Sequence, residues 1–190
     1  MAPKHDLTGK KIAFLATNGV EQVELTSPWD AVREAGGSPE LVSPEKGSIT
    51  AMQGDWDHGD TFDVDHDVAG VSFEDFDALV MPGGTINGDQ LRTNEDVLRF
   101  VRGFFENHKP VSAICHAPWT LINAGVVVGR KMTSVDKVSI DLKNAGAEWV
   151  DKEVVVDSGL TTSRNPGDLE AFNAKTIEEI AEGRHKNQTA

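Results

Sequence analysis

Pro110-Val111-Ser112-Ala113-Ile114-Cys115-His116-Ala117-Pro118-Trp119 is the stretch that decides how the chain is built. Val111 to Ile114 is a short apolar run of the kind buried on both faces of a parallel sheet. Ala117-Pro118 opens a helix, because proline's fixed φ suits the first turn and its missing N–H is not needed there. The only cysteine of the chain therefore stands where a strand turns abruptly into a helix. That is the layout of a nucleophile elbow, which lifts a reactive side chain above the carboxyl edge of a sheet. Small residues at 113 and 117 take the places where such elbows carry glycine. The competing reading is an inert core cysteine, since free Cys is among the most buried residue types.

Working outward, the same alternation recurs. Upstream, Lys11 to Thr17 (KIAFLAT) reads as a strand, Asn18-Gly19 as a turn, Val23 to Ala35 as a helix closed by Gly36-Gly37, and Pro39 to Ser43 as a second strand. Asp77 to Met81 is a further parallel-type strand running into Pro82-Gly83-Gly84, where two glycines let backbone amides approach a ligand or an oxyanion. Thr85 to Arg92 is expected as a loop carrying Asp89. Glu95 to Asn107 is expected as a helix, with Val97, Leu98, Val101, Phe104 and Phe105 forming one apolar stripe. Downstream come a short helix from Trp119 to Ala124, a short strand near Lys131 to Ser134, and a helix from Lys137 to Asn144 capped by Asp136. A hairpin around Ser158-Gly159 follows, joining strands at Glu153 to Asp157 and Leu160 to Ser163. A last helix starts at Asn165-Pro166 and runs to about Ala181. Gly183 to Ala190 is a polar tail expected to fray.

Residues 44–75 differ in character, with many Asp, Gly and His, and read as a small β excursion at the edge of the main sheet. His58 and His66 lie among Asp55, Asp57, Asp60, Asp63, Asp65 and Asp67 without a metal-ligand spacing, so a solvated acidic loop is expected. No motif calls for a metal or a cofactor. Together these elements predict a doubly wound, mostly parallel α/β sheet with helices on both faces. They form one domain over 1–190, with its core at about 10–182.

Composition excludes several classes. The net charge of −13 disfavours nonspecific nucleic-acid binding, which needs clustered Lys and Arg. No apolar run approaches the roughly 20 residues that span a bilayer. The start, Met-Ala-Pro-Lys-His-Asp, lacks an apolar signal core, and a single cysteine fits a reducing compartment, so a cytoplasmic protein is expected.

Glu21, Gly83-Gly84 and Cys115 each lie just past a strand's carboxyl end, the edge where open α/β sheets bind ligands. Their convergence favours a nucleophilic Cys115. A thiolate needs a base or a positive dipole nearby, and His116 together with the following helix N-terminus supplies both. His116 needs an orienting partner, for which Asp89 is the candidate, from the same chain or a neighbouring one. Glu21, protonated by crowding, would donate a hydrogen bond to the thiolate. Glu21 also reads, as Glu24 does more simply, as a first-turn carboxylate favoured by the helix dipole. His185, in the tail, is poorly placed to serve a glutaminase triad.

Five blocks resemble the ThiJ/PfpI family, near its intracellular-protease and general-stress-protein branch. They are Gly19-Val20-Glu21-Gln22-Val23-Glu24-Leu25, Asp77-Ala78-Leu79-Val80-Met81-Pro82-Gly83-Gly84, Ala113-Ile114-Cys115-His116-Ala117-Pro118, 145–151 (AGAEWVD) and 162–169 (TSRNPGDL). The resemblance implies a flavodoxin-like sandwich and a homodimer or higher oligomer with its site near the interface. It carries Cys115 as nucleophile, His116 as its partner and Glu21 as the carboxylate beside the sulfur. Gly83, Gly84 and the His116 amide form the backbone oxyanion site. Asp89 would take the carboxylate role that this branch supplies across a subunit contact, although the loop Thr85 to Gly88 is one residue longer than the usual pattern. Trp119 is a candidate pocket-lining residue; Arg164 and Asp168 are read as bracing the last helix. The implied activity is a stress-protective, glyoxalase- or deglycase-like enzyme acting on small aldehydes such as methylglyoxal or their protein adducts. The alternatives are an intracellular cysteine peptidase acting on peptide or protein substrates, and a redox sensor or chaperone whose cysteine is oxidised.

Overall fold

The computed structural model of the chain describes residues 5–190; residues 1–4, part of the segment read as lacking a signal core, lie outside the described residues. In chain order the elements are β1 (Lys11–Leu15), α1 (Gln22–Glu34), β2 (Ser38–Ser43), β3 (Ser48–Gln53), β4 (Asp57–Asp63), β5 (His66–Asp67), β6 (Ala78–Met81), α2 (Thr85–Leu91) and α3 (Glu95–Glu106). There follow β7 (Val111–Ile114), α4 (Pro118–Ala124), β8 (Lys131–Met132), α5 (Ser139–Asn144), β9 (Glu148–Trp149), β10 (Val154–Asp157), β11 (Leu160–Ser163) and α6 (Leu169–Glu182).

The main sheet has the order β10-β11-β7-β6-β1-β2-β5, parallel throughout except for the antiparallel β10–β11 hairpin. Strand residues alternate between two apolar layers. Ile12 and Phe14 of β1 pack with α1 and α6 through Leu25, Val32, Phe172 and Ile180. Ala13 and Leu15 face the opposite layer, where Val97, Val101, Phe104 and Phe105 of α3 meet Leu121 and Leu142. Both faces of the central strands are thus covered, which is why they read as predominantly apolar runs. From β1 the chain moves outward to β2, then returns to place β6 on β1's other side. The crevice beyond the carboxyl ends of β1 and β6 is therefore the topological switch point, where such sheets bind ligands.

Three local expectations differ from the structure. Residues 85–91 are helical rather than a loop, because Asn87 is fully buried and its side chain ties the segment down. Its Oδ1 accepts from the Thr17 amide at 2.8 Å, and its Nδ2 donates to the carbonyls of Pro82 (3.1 Å) and Gly83 (3.0 Å). Asp136 does not cap α5; it begins a 3-10 turn, and no side chain caps that end. The excursion forms as read, with β5 as the edge strand of the main sheet and β3–β4 as a separate two-stranded hairpin. Its strands are stitched to the loop after β1 by Gly19 N–Thr50 O (2.9 Å) and Met52 N–Val20 O (2.7 Å), so the hairpin leans over the switch point. The C-terminal tail is packed rather than frayed: Gln188 is fully buried, and the His185 amide donates to the His108 carbonyl at 2.8 Å.

Candidate active site

Cys115 follows β7 with φ +63, a left-handed conformation costing a non-glycine residue roughly 1–2 kcal/mol. Neighbours hold the strain in place. Its amide donates to Ser163 O at 3.1 Å, and its carbonyl accepts from the Val135 amide at 3.1 Å. A strained nucleophile at a strand-to-helix turn is the elbow geometry that the sequence suggested. The sulfur sits in a tight recess; Cys115 is only 9% exposed.

His116 turns its ring back onto the preceding residue, with Nδ1 3.2 Å from the Cys115 sulfur. Its Nε2 lies 3.3 Å from Thr85 Oγ1. The Thr85 hydroxyl donates to Asp55 Oδ2 at 2.7 Å, while the Thr85 amide donates to Asp55 Oδ1 at 3.0 Å. Because the hydroxyl proton goes to the carboxylate, its oxygen accepts from His116 Nε2–H. That assignment leaves Nδ1 unprotonated and facing the thiol. Burial lowers the His116 pKa, against an upward pull from Asp55, so the ring is neutral near pH 7. The ring of Trp119 stands 5.1 Å from that of His116, and its Nε1 donates to Asp141 at 2.8 Å, so Trp119 walls one side of the imidazole.

The carboxyl beside the sulfur is Glu24, not Glu21. Glu24 is fully buried in the first turn of α1 and lies within hydrogen-bonding reach of Cys115. Burial pushes its pKa from an ordinary 4.5 to about 8, so it keeps its proton at neutral pH and can donate to the sulfur. Glu21 lies at the helix's N-cap position and turns toward the hairpin, where its Oε2 accepts from the Gly54 amide at 2.9 Å. The first-turn reading preferred for Glu24 from sequence missed this contact; Glu21, at the N-cap, has an extended backbone (φ −66, ψ 115) and so does not share the helical face that carries Glu24 to the sulfur.

Within the single chain Asp89 does not reach His116. It is exposed on α2, and within the chain the carboxylate serving His116 is Asp55, acting through Thr85. Asp55 was only one of many acidic residues in the excursion, and the hairpin's turn toward the switch point selects it. Gly83 is also reassigned, since its amide donates to Glu24 Oε2 at 2.9 Å rather than facing the recess. The amides of Gly84 and His116 are the ones directed at the sulfur, where they oppose the upward push that burial and Glu24 exert on the thiol pKa. Both glycines are sterically required. A Cβ at Gly83 would collide with Glu24 and Cys115, and one at Gly84, at φ +96, would lie 2.5 Å from the Gly19 carbonyl oxygen.

Elsewhere, Arg164 braces the last helix as read, its Nε donating to Asp168 at 2.9 Å and its Nη1 to Asp151 at 2.7 Å. His66 Nε2 meets Glu40 at 2.6 Å, and His58 is exposed. Among the described residues, no helix is long and apolar enough to cross a membrane.

Comparison with known proteins places this geometry. Residues 10–179 match the family model described as "DJ-1/PfpI family". A deglycase named PfpI from Pyrococcus furiosus is 44% identical over 162 residues, covering 85% of this chain and 94% of that protein. General stress protein 18 of Bacillus subtilis is 43% identical over 171 residues, covering 89% and 96%. A solved two-domain protein from Anabaena variabilis, with DJ-1/ThiJ/PfpI-like and ferritin-like domains, superposes with a TM-score of 0.84 at 32% identity. That match covers 90% of this chain, which spans half the length of the two-domain protein.

Proposed function

The chain belongs to the DJ-1/PfpI family, and from that membership and the geometry of the site we propose a cysteine-dependent enzyme of the deglycase and glyoxalase type. Its substrates are small reactive aldehydes such as methylglyoxal, or their adducts on protein. The relative named a deglycase supports this reading. The observation that carries it is the unprotonated His116 Nδ1, held 3.2 Å from a strained, recessed thiol.

In the first step Nδ1 takes the thiol proton and the sulfur attacks the carbonyl carbon. As the C–S bond forms, the carbonyl π pair moves onto oxygen, where the Gly84 and His116 amides stabilise the charge. His116 then returns its proton to that oxygen, giving a hemithioacetal with atoms and charge in balance. Thr85 and Asp55 keep the imidazole in the accepting tautomer throughout. The slight exposure of Cys115 favours a small carbonyl over the peptide bond of an extended chain, which would need an open cleft.

Purified wild type, Cys115→Ala and His116→Ala, assayed with methylglyoxal and with a denatured protein, test the reading. Loss of carbonyl turnover in both variants is expected; equal turnover in all three overturns it. A second reading, redox sensing, draws on protonated Glu24, which would donate to an oxygen of a Cys115 sulfinate. Mass spectrometry after mild peroxide should then show Cys115 oxidised before any of the four methionines. A reduced Cys115 beside oxidised methionine rejects that role.

The same proposal includes a homodimer or higher oligomer working in the cytoplasm, with Asp89 able to approach a neighbour's site. Trp56, 88% exposed next to Asp55 in the hairpin, supports it as an apolar surface that a second subunit would cover. Light scattering on gel-filtered protein checks the assembly, and a strictly monomeric peak removes it.

A further inference from the structure

Glu179, Glu182 and His185 converge at the carboxyl end of α6, their ligating atoms all within 4.8 Å of one another. The local chain explains why. Glu179 and Glu182 stand three residues apart on the last turns of the helix and so share a face. Gly183 then leaves the helix at φ +84 and ψ −136, a region essentially reserved for glycine, and swings the chain back. The His185 amide is pinned to His108 O, and its ring packs on Gly159, where an added Cβ would lie 2.8 Å from His185 Cδ2.

Glu179 is only 7% exposed, yet its Oε2 has no hydrogen-bond donor. His185 Nε2 likewise has no hydrogen-bond partner, although the two atoms are 3.2 Å apart. A plain ion pair would aim an N–H along that line. Two ligand atoms at this spacing instead match neighbouring positions around a first-row cation, whose bonds of about 2.1 Å at roughly tetrahedral angles span about that distance.

We propose that Glu179, Glu182 and His185 bind one divalent first-row cation of the Zn2+ class, clamping the C-terminal tail onto α6. One imidazole and two carboxylates suit such an ion, and the exposed Glu182 side leaves room for water to complete the coordination. The clamp secures a tail that buries Gln188 and brings Thr189 O onto the Arg130 guanidinium. It also lies at the opposite end of β7 from the thiol: Val111, which begins that strand, donates to the carbonyl of Gly159, the residue under the His185 ring.

Untagged, metal-stripped protein is titrated with Zn2+ by calorimetry and with Co2+ by visible absorption. Wild type and Cys115→Ala should each bind one ion per chain. The melting temperature should rise by roughly 5–10 °C with Zn2+ a hundredfold above Kd. His185→Gln and Glu182→Gln should weaken binding by more than about tenfold, the loss seen on removing even an outer partner of a metal ligand. Glu182 is exposed, so its variant folds whether or not the buried positions tolerate change. Unaltered affinity in His185→Gln, loss of binding in Cys115→Ala, or no one-to-one binding by the wild type would each overturn the site.

Discussion

At the scale of single residues, the chemistry around Cys115 is set by where protons reside. Glu24 holds its proton in the folded state up to about pH 8, whereas in the unfolded chain it ionises near 4.5. A carboxyl with a raised folded pKa contributes full stability below pH 4.5 and loses it as pH rises toward about 8. Glu24→Gln should therefore flatten the pH dependence of stability across that window. The change is about 5 kcal/mol at most, at about 1.4 kcal/mol per pH unit. Urea unfolding of both proteins at several pH values measures it, and parallel curves would refute the assignment. His116 depends in the same way on Thr85. Thr85→Val removes the acceptor for Nε2–H and the link to Asp55, so iodoacetamide should alkylate Cys115 several-fold more slowly near neutral pH, with Thr85→Ser restoring the rate. Cys115 and His116 were legible from their neighbours in the chain. Glu24, Thr85 and Asp55 were not, because a carboxylate's identity says nothing about which side of a helix or hairpin meets the thiol.

Among the elements, α3 and α2 show when a helix can be read. The stripe Val97, Leu98, Val101, Phe104 and Phe105 is buried as its spacing predicts. Asn94 caps that helix by accepting from the amides of Asp96 and Val97 at 3.0 and 3.1 Å. Asn94→Ala should cost about 1 kcal/mol in urea unfolding, with activity retained. The segment 85–91 carries Asn and Gly, poor helix formers, and is helical because its buried asparagine satisfies three backbone groups of neighbouring loops. Asn87→Ala should therefore do more than destabilise by roughly 1–3 kcal/mol. It should also release Gly84 and Thr85 from the recess and slow Cys115 alkylation. A variant with lowered stability but unchanged alkylation would separate α2 from the site.

For the whole molecule, the net charge of −13 bears on solubility and self-repulsion rather than on the fold. Raising salt from about 0.01 M to 0.15 M shortens the screening length from about 30 Å to 8 Å, and the melting temperature should rise by a few degrees; a fall would show that attractive pairs outweigh the repulsion. The sequence by itself determined the parallel sheet, since the run 78–81 is apolar at every position and 111–114 at all but Ser112, a pattern that burial on both faces accounts for. It also determined the elbow, because a strand, a lone cysteine and a helix-starting proline are consecutive. Tertiary structure alone decided which carboxylates serve the sulfur and the imidazole. Glu24 is selected by the packing of α1 against the β6 loop, and Asp55 by a hairpin that closes back over the switch point. It decided the tail as well, where a glycine turn carries His185 onto α6. These contacts join residues distant in sequence, and no local pattern of polarity encodes which of many similar side chains will meet.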